Sequence, residues 1–105
     1  MKTIKFYICS EMQKLREYLD KNQIVWSDNS DDWEVAWICR TRFKYKKVTW
    51  SVIHGYGTYG GIDYFSGMDD QSLEVMIDCK EPIGYLTAAD IIELMEKWEK
   101  GKNFI

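Results

Sequence analysis

The sequence contains little from which a catalytic or metal centre could be assembled. It has a single histidine, His54, and three cysteines, Cys9, Cys39 and Cys79, far apart and without a C-x-x-C pair. That odd, scattered set predicts reduced thiols rather than a disulfide framework. No Cys or carboxylate stands at metal-ligand spacing from His54, which argues against zinc. No apolar run approaches the ~18 residues of a membrane span, and the N-terminus lacks a signal-type apolar segment. The expectation is a cytoplasmic protein. Nor is there an excess of positive charge: 14 Lys and Arg against 17 Asp and Glu leave a net charge of -3, which argues against nonspecific nucleic-acid binding.

What is abundant is aromatic. Rings make up 15% of the 105 residues, with five Trp and seven Tyr, more than a core of this size needs. The remainder is expected at a contact surface, where Trp and Tyr give much area for little lost rotamer freedom. The length fits one domain, residues 1–105, burying roughly two-thirds of its unfolded surface.

Residues 48–61 are the stretch that the chain is organised to present. Val48, Trp50 and Val52 alternate with Thr49 and Ser51, the period of a half-buried strand. Four of the seven glycines then fall at 55–61, interleaved with Tyr56, Thr58 and Tyr59. Such a loop can take positive φ and approach a partner closely. Gly55-x-Gly57-x-x-Gly60 matches a dinucleotide fingerprint as a string, but no helix opens at its third glycine.

The alternation Ile4, Phe6, Ile8 predicts a strand at about 3–9. Ser10, with Gln13 three residues on, predicts a helix cap, and Met12, Leu15 and Leu19 form the stripe that ends at Lys21-Asn22. A short strand is expected at 24–26, a polar turn at 27–32, and a long strand from Trp33 to Lys44 with Cys39, Thr41 and Phe43 on one face and Arg40, Arg42 and Lys44 on the other. Tyr45-Lys46-Lys47 turns it into an antiparallel partner at about 47–54. Residues 62–71 read as irregular. Leu73 to Cys79 reads as a fifth strand, with a short helix as the alternative. Pro82 and Gly84 break the chain before a helix capped by Thr87 with Asp90, striped by Ile91, Leu94, Met95 and Trp98, paired through Glu93 with Lys97 and Glu96 with Lys100, and stopped at Gly101. The fold class is α+β: a mostly antiparallel sheet of about five strands with two helices on one face, β-α-β-β-β-β-α.

Several candidate sites follow. His54 at the strand–loop junction is placed for a general base, but its parity continues the buried face. Cys39 with His54 is a nucleophile–base pair only if neighbouring strands join them. The acidic run Asp28-Asn29-Ser30-Asp31-Asp32 lacks the Gly and distal Glu of a calcium loop. The outward stripe Arg40, Arg42 and Lys44 is a candidate for phosphate or acidic protein, against a solvated sheet face.

The blocks Trp50-Ser51-Val52-Ile53, Gly55-Tyr56-Gly57-Thr58-Tyr59-Gly60-Gly61, Leu73-Glu74-Val75-Met76 and Gly84-Tyr85-Leu86-Thr87-Ala88-Ala89-Asp90-Ile91-Ile92 resemble short proteins carried by phages and integrated elements of Gram-positive bacteria. A Gly-Leu-Leu-Glu segment is usual there, where this chain has Gln71-Ser72-Leu73-Glu74. No catalytic residue set travels with the resemblance. It implies a context in which small proteins inhibit host defence.

The functional expectation is a non-enzymatic binding protein without a cofactor. In one version Asp28, Asp31, Asp32, Asp69 and Asp70 occupy the basic groove of a host nuclease, as an anti-CRISPR protein would. In a second, a homodimer or higher oligomer sequesters a small nucleotide signal, with Tyr56 and Tyr59 on the Gly57–Gly60 loop stacking on the base and Arg40 or Arg42 on the phosphate. A small hydrolase using His54 is the third alternative.

Overall fold

The computed structural model describes residues 8–32, 36–63 and 65–98. Its elements run α1 (Ser10–Lys21), β1 (Trp26–Asp28), β2 (Asp31–Asp32), β3 (Trp37–Tyr45), β4 (Val48–Gly55), β5 (Leu73–Ile77), β6 (Ile83–Leu86) and α2 (Ala88–Lys97). The strands form one antiparallel sheet in the order β1-β3-β4-β5-β6, with β2 also paired to β3. The α+β class and the antiparallel sheet expected from sequence are present. The strand expected at 3–9 falls largely outside the described residues, as do the Glu96–Lys100 pair and the stop at Gly101.

The β3–β4 hairpin is the centre of the sheet. Tyr45 pairs with Val48, so Lys46 and Lys47 alone make the turn. Both take left-handed backbone, at φ 51 and 68, the geometry whose twist matches two flanking strands. Lys46 also reaches over to α2, its Nζ donating to the carbonyls of Glu96 at 2.8 Å and Trp98 at 3.2 Å. A cation thereby satisfies the carbonyl end of the helix.

The helix-side face of the sheet carries the core. Cys39 and Phe43 of β3, Val48, Trp50 and Val52 of β4, and Leu73, Val75 and Ile77 of β5 are buried against Met12, Leu15 and Leu19 of α1 and Ala88, Ile91 and Met95 of α2. Trp50 lies at its centre, with Phe43 stacked at 6.0 Å and Trp98 edge-on at 5.6 Å, and its indole N–H donates to the Tyr45 carbonyl at 3.1 Å. Much of the aromatic excess is used here.

Four local expectations need correction. Cys9, not Ser10, is the N-cap of α1, and it makes no side-chain cap bond; Gln13 donates to the Ile8 carbonyl instead of closing a capping box. The strand expected at 24–26 lies at Trp26–Asp28, because its register is set by pairing with β3. The polar run 27–32 is not a turn: β1 and β2 pair with β3 in one continuous register, so the run lies along the sheet edge, interrupted only at Asn29-Ser30, where the Asn29 N–H still donates to the Arg40 carbonyl at 3.0 Å. The Pro82–Gly84 break conceals β6, which joins β5 through a bulge opposite Glu74. The capping box of Thr87 and Asp90 forms as expected, and Glu11 of α1 accepts from the Ala88 N–H at 2.8 Å, tying the helices together. Among the described residues no helix is long and apolar enough to cross a membrane.

Candidate functional site

Beyond Val52, β4 continues its buried parity into His54, which is fully buried. Its Nε2 lies 2.9 Å from Asp69 Oδ1, and the same oxygen accepts the Gln71 N–H at 2.7 Å. The ring leans on Trp37 at 5.6 Å, and Tyr56 meets the same indole in a T-shaped contact at 5.9 Å. His54 therefore anchors the 62–71 segment to the sheet, and solvent does not reach it.

Cys39 is the cross-strand partner of His54, yet it too is buried. Burial pushes its thiol above the ordinary value of 9.0, and the neighbouring Arg16 guanidinium, 3.4 Å from Sγ, does not reverse this. Cys9 is held up in the same way by burial. A protonated thiol is a poor nucleophile. Only Cys79 is exposed. A thiol reagent should thus label one cysteine in the native protein and three after denaturation. The same shifts fix the alkaline behaviour: stability is fully present below about pH 9 and falls as pH rises past it, because the unfolded chain then gives up thiol protons that the native state retains. Chemical denaturation at two alkaline pH values reads this directly.

The glycine loop closes on itself. The Gly57 N–H donates to the Ile62 carbonyl at 2.9 Å, Ile62 N–H to Gly55 at 2.8 Å, and the Thr58 hydroxyl to the Gly55 carbonyl at 3.0 Å. A Cβ at Gly61 would collide with Thr58 Oγ1 and the Gly55 carbonyl, and Gly60, at φ 95, backs onto Ser72 and Tyr85. The close approaches that demand glycine are internal. From this loop the Tyr59 N–H donates to the buried Glu74 carboxylate at 2.9 Å, and its Cβ sits over Gly84. Tyr59 thus lies over the sheet face away from the helices, 56% exposed beside Tyr85 at 65%.

The residues singled out by sequence divide into separate places. Arg40 and Arg42 lie on the open face of β3, whereas Tyr56 and His54 lie on the helix side, so the full nucleotide-capture set is not brought together. Arg40 is taken by Asp31, 3.0 Å from Nη1, and by the Asn29 carbonyl at 3.1 Å. Asp28 accepts from the Ser30 N–H and hydroxyl, and its second oxygen lies 3.7 Å from Arg16. Asp69 is committed to His54. Of the proposed nuclease-groove carboxylates, Asp70 stands exposed with no side-chain bond to the described residues, and the Asp32 side chain lies outside them. No three His, Cys, Asp or Glu side chains converge to hold a metal among the described residues.

The sequence reading missed the segment after the glycine loop. Asp63 and Met68 close a short turn, with Asp63 N–H donating to the Met68 carbonyl and Gly67 N–H to the Asp63 carbonyl, both at 2.9 Å. Asp63 Oδ1 accepts the Phe65 N–H at 2.9 Å, and Ile62 bridges to Asp69 at the base. The turn holds out Phe65, 101% exposed, and Met68, 72% exposed, with Asp63 and Asp70 flanking them in sequence. The Asp-Tyr-Phe-Ser-Gly-Met-Asp-Asp run was the available signal: turn formers enclosing apolar residues with no periodicity to bury them. No family model, no curated protein and no solved structure matches this chain.

Proposed function

We propose that this chain is a non-enzymatic binding protein of phage or mobile-element origin, which acts in the cytoplasm of a bacterial host and inhibits a defence system by occupying a host protein. The observation that carries this reading is Phe65. A phenylalanine fully in water, on a turn that five hydrogen bonds or bridges hold in shape, gains nothing for the isolated fold. Central apolar anchors of this kind dominate protein interfaces. With Met68 beside it and Asp63 and Asp70 around it, the turn fits an apolar pocket with a cationic rim, the rim that a nucleic-acid-handling enzyme carries. The buried His54 and the protonated, buried Cys39 support binding rather than turnover, in preference to the hydrolase reading.

The test is phage plating on a host that carries a defence nuclease and expresses the protein. Wild type should restore plaques in proportion to its amount, as a stoichiometric inhibitor does, and Phe65→Ala should not. Restoration by Phe65→Ala equal to wild type, or by His54-dependent catalytic amounts of protein, would overturn the proposal.

A further inference from the structure

We propose that the sheet face turned away from the helices binds single-stranded nucleic acid. Both helices cover the opposite face. Arg42 and Lys44 project from β3, exposed and without a hydrogen bond or ion pair to the described residues. The anions near this face are spoken for or lie away from β3: Asp31 is taken by Arg40, Glu74 is buried and bonded to the Tyr59 N–H, and Asp78 bonds through its N–H to Thr49 at the end of β5. Within a chain of net charge -3, Arg42 and Lys44 are thus two neighbouring cations left unpaired among the described residues.

The register lays out what a strand would meet. Arg42 pairs with Ser51, and Ser51 with Met76, so one row runs from cation through hydroxyl to an exposed thioether. Tyr59 and Tyr85 stand beyond β5, at Gly84 and the β6 bulge. Same-face neighbours on a strand are about 6.8 Å apart and adjacent strands about 4.8 Å, so β3 to β6 spans roughly 14 Å. At about 3.4 Å per stacked nucleotide that is some four nucleotides. Cations on one border and two exposed phenol rings on the other suit phosphates and unpaired bases respectively. Among the described residues no helix stands on this face to enter a duplex groove. An acidic peptide would use the cations and leave the tyrosines idle.

Fluorescence anisotropy with labelled oligothymidylate and oligouridylate tests this, with circular dichroism confirming that each variant is folded. A saturable rise at low salt is expected, with log K falling against log salt at a slope of about −1.4, from ~0.7 for each of two phosphates. Arg42→Ala with Lys44→Ala should weaken binding at least tenfold and flatten that slope. Tyr85→Ala should weaken it at least fivefold, and Lys14→Ala, on α1, should change nothing. Phe65→Asp should bind the oligonucleotides like wild type, which separates this site from the proposed host-protein contact. The proposal fails if neither oligonucleotide binds, if the Arg42/Lys44 double variant binds as well as wild type, if a duplex binds equally, or if an oligoglutamate peptide competes as effectively as unlabelled single strand.

Discussion

Phe65→Asp should abolish inhibition of the host target and leave the thermal midpoint where it is. Both halves follow from the same fact. The ring is fully exposed, so substitutions there stay within about 0.5 kcal/mol of wild-type stability. In a complex the ring becomes an anchor; losing a central aromatic costs about 2 kcal/mol or more, at least ~30-fold in affinity. Placing a carboxylate in an apolar pocket adds a desolvation penalty. Met68→Asp should act in the same direction and more weakly, because Met68 is less exposed, at 72% against 101% for Phe65. Thermal melts beside target inhibition separate the two effects.

Arg16→Ala should have the opposite signature, a large loss of stability with the Phe65 turn intact. Its side chain is 11% exposed although it carries a full charge. Four groups on two strands make that tolerable: Nε donates to Thr41 Oγ1 at 2.7 Å, Nη2 reaches Cys39 Sγ at 3.4 Å, the guanidinium lies 4.5 Å over the Trp26 ring, and Asp28 stands at 3.7 Å. Thr41 in turn donates to Met12 Sδ at 3.2 Å, so the network ties α1 to β1 and β3. Truncation removes a cation–π contact and a charge-assisted bond and leaves a cavity, together about 2–4 kcal/mol. For a chain of this size that lowers the midpoint by roughly 10–20 °C. Arg16→Met should cost less than alanine. It refills the volume and strands no charge, since Asp28 is half-exposed, but Thr41 still loses its donor. Urea denaturation of the two variants gives the order.

Much of the fold was legible because its signals are local. The alternation through Cys39, Thr41 and Phe43 and through Val48, Trp50 and Val52 is fixed by the pleat, and a two-residue link admits only a hairpin. Thr87 with Asp90 is a capping box at its defining spacing. What stayed hidden depends on partners distant in sequence. Nothing near Ile83–Leu86 says strand; β5 makes it one, through a bulge and with Tyr85 at φ 59. Arg16 reads as an ordinary helix surface residue until Thr41 and Trp26 close around it. For the candidate site, parity placed His54 on the buried face, but its partner Asp69 lies across an aperiodic segment. That segment, not the glycine loop before it, holds out the apolar pair. The glycines around Tyr59 serve contacts within the chain, while Tyr59 itself emerges on the open face, as Arg40 and Arg42 do.

Native mass spectrometry of the protein isolated from a bacterial host under gentle conditions tests most directly whether it works by holding a host protein through the Phe65 turn. The 12.5 kDa chain is expected in a defined stoichiometric complex with one host polypeptide, absent when Phe65→Asp is isolated the same way. A chain that carries only a few hundred daltons of bound small molecule, or a complex that Phe65→Asp retains in full, would contradict it.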